Sequence, residues 1–407
     1  MNPSLGKISA SIGLLLFSGL ALDAATPPAA WEFMARPTQS SGPMPPSRPL
    51  SAHERTVLAV VKSVIQLFKQ SGDAVWPGYN LSERPFIVYM PDAWAIFLNA
   101  PGAAEGFGAY PAGWPDLGTK ALFHPGAYKD LTGQLAFDFE AGGVKTIAIG
   151  LPAEFPKTGA HPEASLFGFI VHEAFHQFQN DSFAEIPWER EEKYPIEDRE
   201  NTALACLEMR LLQSSLDASF SHRQEAVDES LKEFVAVRLA RWRQGDSFIA
   251  RYERGQEVRE GTAQYVEARS LQLIKSQDHP HFFDAVSFPG WIDEDFKGRL
   301  TEGSVAPDDM LRNRIYPVGC SLGFLADSLG IAWKEKAQKA SQDFDFASLF
   351  KEKYGLADES LGELLDRAKA AASYADILNA TDTLIKRYQE QFESERSAFE
   401  AQPGFRM

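Results

Sequence analysis

Apolar residues follow a helical period at the start of the folded chain and then change to short continuous runs. Between residues 52 and 70, valine, isoleucine and phenylalanine recur at the spacing of one helical face, which predicts an N-terminal helix. Runs of β-branched and aromatic residues follow, and they are bounded by glycine, proline and aspartate. These runs predict three β-strands, at 86–90, 135–139 and 144–149.

Beyond the last predicted strand the pattern is helical almost throughout. Apolar positions in 198–245 recur at helical spacing, and a charged helix is expected over about 374–400. The order of elements therefore predicts an α+β fold: a small mixed α/β lobe with a β-sheet at 51–160, followed by a largely helical lobe at 161–407.

One predicted helix carries the pentapeptide His172-Glu173-Ala174-Phe175-His176. It is expected to begin near Pro162, because proline is favoured in the first helical turn, and an apolar stretch precedes the histidines. Histidines four residues apart share one helical face, so one zinc ion could take both imidazoles. The alternative is a helix with two buried histidines that bind no metal.

A catalytic zinc site usually has three protein ligands and one water. Two neutral imidazoles and one carboxylate leave the metal with positive charge, which lowers the pKa of the water to about 7. Glu173 lies between the histidines and is expected to act as the general base. The pentapeptide therefore predicts a zinc hydrolase with one Zn²⁺ per chain, and a third ligand elsewhere in the sequence.

Downstream, the segment Glu260-Gly261-Thr262-Ala263-Gln264-Tyr265-Val266-Glu267 follows the pattern E-G-x-A-x-[YF]-x-E. Here the chain resembles the gluzincin metallopeptidases, and most closely their aminopeptidase-like branch. The resemblance covers about 140–350 and implies a thermolysin-like catalytic core, with the zinc site between the two lobes. It also implies that Glu260 is the third zinc ligand. The small residues Gly261 and Ala263 are expected to allow close packing against the histidine helix.

A third segment, Tyr316-Pro317-Val318-Gly319, resembles the Tyr-x-x-Gly element of these families. The resemblance implies that Tyr316 donates a hydrogen bond to the tetrahedral intermediate; an ordinary structural tyrosine is the alternative. In gluzincins the strand before the zinc helix is a sheet edge that pairs with extended peptide, so the strand at 144–149 is a candidate substrate-binding edge. The alternative for 144–149 is an inner strand.

The chain also departs from the family. His176 and Glu260 are 84 positions apart, so a helical insertion at 198–245 is expected between the two zinc helices. Glu200 and Glu208 stand nearer to His176 in sequence and remain alternative third ligands. Gln264 occupies the position where thermolysin-like members carry a carboxylate that orients a histidine ligand, and an amide would accept that hydrogen bond more weakly.

Composition limits the classes of partner. The formal net charge of −16 argues against a nucleic-acid partner, and there is no glycine-rich phosphate loop. The two cysteines, Cys206 and Cys320, either pair in an oxidising compartment or remain buried thiols.

The N-terminal residues 1–25 have the features of a secretory signal: a basic Lys7, an apolar centre and small residues near 24–25. A retained membrane anchor is the alternative, although the apolar centre is short for a span. Residues 26–50 are rich in proline and predict an extended lead-in. The expected localisation is therefore secreted or periplasmic, with no stable membrane insertion after signal cleavage.

Together, these features predict a secreted or periplasmic zinc metallopeptidase that hydrolyses peptides or proteins. Two alternatives remain open. One is a zinc hydrolase of the same fold that acts on a non-peptide bond, and the other is a catalytically silent relative used for binding. The intact set of His172, Glu173, His176 and Glu260 argues against the silent relative, because a silent site has no need of the base. Whether cleavage would be internal or terminal stays open.

Overall fold

The computed structural model describes residues 49–128, 131, 135–152, 162–187, 189–244, 247–276, 304–307, 309–372 and 374–401. The predicted signal at 1–25 and nearly all of the proline-rich lead-in at 26–50 lie outside the described residues. Among the helices that the structure describes, none has the length and apolarity needed to cross a bilayer.

The N-terminal helix α1 spans Ala52–Val75, five residues further than its predicted end near residue 70. Its N-cap is Ser51, whose hydroxyl accepts a hydrogen bond from the N–H of Glu54, while the Glu54 carboxylate accepts one from the N–H of Ser51. This reciprocal cap satisfies two donors that a helix start would otherwise leave unpaired. The Glu54 carboxylate also accepts the indole N–H of Trp94 at 2.7 Å, which ties the helix to the sheet.

The β-sheet has six strands in the order β3-β4-β2-β1-β6-β5. Every neighbouring pair is antiparallel except β1 and β6, which run parallel with Val88 opposite Ile149. Residues on one face of β1 and β2 pack into the main core with α1, and alternate residues form a smaller core on the other face. The strands are β1 Phe86–Met90, β2 Trp94–Leu98, β3 Gly108–Ala109, β4 Ala121–Pro125, β5 Ala136–Ala141 and β6 Val144–Gly150.

The topology corrects the expectation for the strand before the histidine helix. β6 pairs with β1 on one side and with β5 on the other, so it is an inner strand. It pairs with β5 from Val144 to Ile149 and with β1 from Ala148 to Gly150, so it is not the edge strand of the sheet. The edge on this side of the sheet is β5.

The rest of the chain is mostly helical, as predicted. The histidine helix α2 packs against α1, β6 and α6 and lies between the sheet and the later helices. The segment expected to be a helical insertion forms a helical hairpin, α3 and α4, as its apolar pattern indicated. Cys206 on α3 and Cys320 on α7 are both buried free thiols. The helices are α2 Pro162–Ser182, α3 Arg199–Phe220, α4 Gln224–Gln244, α5 Ser247–Gln256, α6 Thr262–Ser276, α7 Ile315–Ser328, α8 Lys334–Lys339, α9 Phe346–Tyr354, α10 Leu361–Ala371 and α11 Tyr374–Glu400.

Four shorter helical segments complete the described chain. Two are 3₁₀ turns, at Glu191–Lys193 and Asp358–Ser360. The other two are π-helical, and both lie next to elements that carry candidate site residues. The first π segment, Glu257–Gly261, joins α5 to α6, and the second, Asp309–Asn313, precedes α7. A π turn adds a residue to the helical repeat, which re-aims the side chains around it and is often found at functional sites.

Candidate metal centre

The two histidines of the pentapeptide lie on one face of α2. Their ring centroids are 5.0 Å apart, as expected for residues separated by one helical turn. His172 is buried and His176 is partly buried. Phe175 and Ala174, between them in sequence, point into the main core, which fixes the helix rotation and keeps the imidazoles on the other side.

The first π segment brings Glu260 to the histidines. Its Oε2 atom lies 3.5 Å from Nε2 of His172 and 3.4 Å from Nε2 of His176. One ligand atom from each of the three residues lies within 4.8 Å of the other two. Atoms bound at about 2.0–2.1 Å to one tetrahedral zinc are roughly 3.3 Å apart. The separations from Glu260 to the two imidazoles are therefore close to those of a tetrahedral metal site.

The two alternative third ligands are engaged elsewhere. The Glu208 carboxylate accepts hydrogen bonds from buried Arg238 and Arg241 on α4. The Oε1 atom of Glu200 accepts a hydrogen bond from Nζ of Lys369 at 2.9 Å, on a partly exposed surface. Of the three acidic candidates that the sequence left open, only Glu260 belongs to the cluster with the histidines.

The second imidazole nitrogen of each histidine faces a side chain that can fix its orientation. Nδ1 of His176 lies 2.7 Å from Oε1 of Gln179, and Nδ1 of His172 lies 3.4 Å from Oε2 of Glu267. The Gln179 amide group is held in turn by the carbonyls of Val258 and Arg259 on the first π segment. If each Nδ1 carries the proton, both Nε2 atoms are left to face Glu260 as metal-binding nitrogens.

Gln264 does not have the expected role. Its amide donates to Glu267 at 3.1 Å, and Glu267 is the residue that faces His172. The carboxylate that faces Nδ1 of His172 thus comes from the last position of the E-G-x-A-x-Y-x-E segment. Gly168 makes room for it, since a Cβ at Gly168 would overlap the Glu267 side chain.

Tyr316 lies beside the cluster, at the start of α7. Its ring is stacked on the His172 ring, with centroids 5.8 Å apart and planes 12° from parallel. Burial, and after it the negative charge of the Glu260 carboxylate, raise the pKa of Tyr316 well above its ordinary value, so its hydroxyl retains its proton. Proximity to the cluster favours a role in the site over that of a remote structural tyrosine.

The packing of small residues differs from the expectation. Gly261 contacts Gly319 of α7: a Cβ added at Gly261 would lie 2.7 Å from the Gly319 Cα. The close approach is therefore made with the helix of Tyr316 and not with the histidine helix. Ala263 is fully buried in the main core. The Gly-Gly contact explains why a glycine follows Tyr316 by three positions.

Glu173 is half-buried, and its charge acts on His172. Burial alone would lower the pKa of His172, but hydrogen bonds with Glu260 and Glu267 and the charge of Glu173 raise it to about 10. Burial also opposes ionisation of Glu260, yet the charges of the two imidazoles and their hydrogen bonds hold its pKa well below its usual range. The cluster therefore favours a positive charge between the imidazoles and the carboxylates, which a divalent cation would supply.

A buried ionic network supports the elements that carry Glu260 and Tyr316. Arg238 donates to Glu257 at 2.6 Å, and Glu257 lies three residues before Glu260. Arg314, two residues before Tyr316, pairs with Glu253, which also binds Arg241. Through these contacts the hairpin of α3 and α4 anchors both the first π segment and the start of α7. The buried ionic network includes Tyr194, Glu208, Arg238, Arg241, Glu253, Glu257 and Arg314.

Three residues that the structure brings to the cluster had no predicted role in the site: Gln179, Glu267 and Arg312. Gln179 lies three positions after His176 and Glu267 seven after Glu260, so helical spacing contained a signal for both. Arg312 lies in the second π segment, 52 positions from Glu260, and no local pattern marks it. Its Nη2 atom is 3.3 Å from Oε1 of Glu260.

Comparisons of this chain with protein family models, with curated proteins and with solved structures found no match.

Proposed function

We propose that the chain is a zinc-dependent metallopeptidase, with one Zn²⁺ held by His172, His176 and Glu260. The main support is a single observation: Oε2 of Glu260 lies 3.4–3.5 Å from both Nε2 atoms, close to the edge length of a tetrahedral zinc site. Two imidazoles and one carboxylate are also the donor set of catalytic zinc in several peptidases. When bound there, zinc would activate a water molecule and polarise a substrate carbonyl.

The proposed roles of the protein groups follow from their positions. Glu173 accepts the proton of the attacking water and passes it to the leaving amine, because its carboxylate is next to the ligand His172 and only half-buried. Tyr316 retains its proton and donates a hydrogen bond to the oxyanion as it develops. Glu267 and Gln179 keep the imidazoles in the tautomer that presents Nε2.

The resemblance to gluzincins supports a peptide or protein substrate and a thermolysin-like core, with the metal between the sheet-bearing part and the helical part. The E-G-x-A-x-Y-x-E segment supplies both Glu260 and Glu267 to the cluster, which gives its first and last fixed positions a chemical reason. We also propose a secreted or periplasmic location on the basis of residues 1–25. A net charge of −16 argues against nucleic acid as a substrate.

The decisive experiment combines metal analysis with substrate digestion. The purified wild-type protein should contain about one zinc per chain, and Glu260→Ala should lose most of it. Glu200→Ala is the matched control, because Glu200 pairs with Lys369 away from the histidines, and it should retain the metal. A result in which Glu200→Ala loses zinc and Glu260→Ala keeps it would overturn the ligand assignment.

Activity should be measured on a peptide library and on a panel of esters. We expect the wild type to cleave peptides, and we expect Glu173→Gln to keep zinc but lose turnover by several orders of magnitude, since an amide cannot accept the proton. Cleavage of esters alone would favour a non-peptide hydrolase of the same fold. Zinc binding without hydrolysis of either class would favour the silent relative.

A further inference from the structure

Arg312 faces the metal cluster from a separate element. It lies in the second π segment, while Glu260 lies in the first, so the two π segments meet through this pair. The Arg312 side chain is 41% exposed, whereas that of Glu260 is only 5% exposed. The guanidinium carbon is 5.9 Å from the centre of the Tyr316 ring, so Arg312 contacts both a proposed ligand and the proposed oxyanion donor.

The two oxygens of Glu260 have different partners. Oε2 lies 3.5 and 3.4 Å from Nε2 of His172 and of His176, while Oε1 lies 3.3 Å from Nη2 of Arg312. A carboxylate can rotate so that its oxygens exchange positions or share one partner. The hydrogen bond from Arg312 favours the orientation in which a single oxygen faces the histidines.

We propose that Arg312 is a positioning residue for the metal centre: it holds Oε1 of Glu260 and so keeps Oε2 directed at the two imidazoles. This inference rests on the proposed zinc function and deepens it by adding a residue that sets the affinity for the metal. Partners of ligating carboxylates typically contribute 10–100-fold to metal affinity or activity.

The charge of Arg312 makes this proposal easy to test. The proposal and simple electrostatics predict opposite changes in zinc affinity when Arg312 is removed. A guanidinium close to a divalent cation repels it, so if charge alone mattered, removal of Arg312 would strengthen metal binding. If Arg312 acts by orienting Glu260, its removal weakens binding despite the lost repulsion. A lysine retains the charge but has no planar fork of donors, so it should not restore the orientation fully.

The test measures zinc affinity by competition with a chelator for the wild type, Arg312→Met and Arg312→Lys. We expect both variants to bind zinc roughly 10–100-fold more weakly than the wild type. The control is Arg259→Met. This substitution also removes a positive charge, one residue from Glu260, but the Arg259 guanidinium donates to Asn180 and not to Glu260. We expect its zinc affinity to stay within about threefold of the wild type. That change is smaller than the roughly 10–100-fold loss expected when a partner of a ligand is removed.

Cobalt substituted for zinc gives a readout independent of turnover. Its visible absorption depends on ligand geometry, so it should change in Arg312→Met and not in Arg259→Met. Unchanged or tighter zinc binding in both Arg312 variants would overturn the positioning role while leaving the zinc site intact. A wild-type protein that binds no zinc would instead overturn the proposed function, so the two failures are distinguishable.

Discussion

Gly261 and Gly319 lie so close together that neither position has room for a side chain. A Cβ atom built on either glycine would lie 2.7 Å from the Cα of the other. Gly261 directly follows Glu260, and Gly319 lies three residues after Tyr316 on α7. The contact therefore brings the backbone that carries the third proposed ligand against the helix that carries the proposed oxyanion donor.

This contact predicts a specific effect of Gly319→Ala. The added methyl group would also come within 3.2 Å of the carbonyl oxygen of Glu257, so the two helices must separate. Overpacking of this kind typically costs about 1–3 kcal/mol. We expect a lower free energy of unfolding, measured in denaturant, and a lower kcat because Tyr316 moves away from the cluster.

Gly362 provides the control for that substitution. It lies in α10 with no atom within 4 Å of a built Cβ, so Gly362→Ala should stabilise the protein by about 0.5–1 kcal/mol and leave kcat unchanged. If Gly319→Ala behaves like Gly362→Ala, the close approach does not exist in solution.

Local patterns were sufficient to predict much of the helical part and two proposed ligands. The pair His172 and His176 depends only on the helical period, and the charged C-terminal helix was expected over about 374–400 and spans Tyr374–Glu400. The segment expected to be a helical insertion is helical and forms α3 and α4. In these cases the signal lies within one element, so no knowledge of tertiary contacts was needed.

The strand β2, Trp94–Leu98, was not among the predicted strands. All five of its residues are buried, as they are in the predicted strand β1, and periodicity does not distinguish such a short apolar run from a buried helical segment. Asp92, with a φ of 61°, forms the tight turn before it, a conformation that the sequence alone did not indicate. The role of 144–149 was not predictable either, since edge or inner position depends on strands far away in sequence.

The partners of small and charged residues were also beyond the sequence. Gly261 and Ala263 correctly indicated close helix packing near the ligand, but not that Gly261 would meet α7. Arg312 belongs to the cluster only because two π segments meet. Contacts between elements of this kind are set by helix crossing geometry, which a pattern of single residues does not encode.

Gln179 should contribute to zinc affinity, although it touches no metal. Its Oε1 lies 2.7 Å from Nδ1 of His176, so Gln179→Leu removes the group that fixes this imidazole. We expect zinc affinity to fall roughly 10–100-fold, measured by chelator competition. The control is Gln177→Leu, because Gln177 donates to the backbone of Lys145 and not to a ligand. Equal affinities in the two variants would show that Gln179 does not orient His176.

Glu257 should make stability depend on pH. Burial raises its pKa, and although Arg238 partly offsets this, the value reaches about 7, above the ordinary value of 4.5. A raised pKa stabilises the fold fully below the ordinary value, and that contribution is lost as pH rises through about 7. Glu257→Gln, which stays neutral, should therefore gain stability relative to the wild type between about pH 4.5 and pH 8. Denaturant unfolding of both metal-free proteins across this range measures the difference.

The contrasting variant is Glu253→Gln. Burial opposes ionisation of Glu253, but Arg241 and Arg314 hold its pKa well below its usual range. Removing its charge leaves two buried guanidinium groups without this partner and should cost about 3–5 kcal/mol at pH 7.

For Glu257→Gln the contradicting outcome is a difference in the free energy of unfolding from the wild type that does not change with pH. That result would mean that Glu257 is ionised throughout this pH range.

Tyr316→Phe tests whether the hydroxyl acts in the transition state. The ring would remain stacked on His172, so folding and zinc content should change little. If the hydroxyl donates to the oxyanion, kcat should fall roughly ten- to a thousand-fold with little change in KM. Tyr265→Phe is the matched control, because its buried hydroxyl donates to Asp327. Its loss should lower stability by about 1 kcal/mol and leave kcat alone. A Tyr316→Phe protein with normal kcat and a lowered melting temperature would assign Tyr316 a purely structural role.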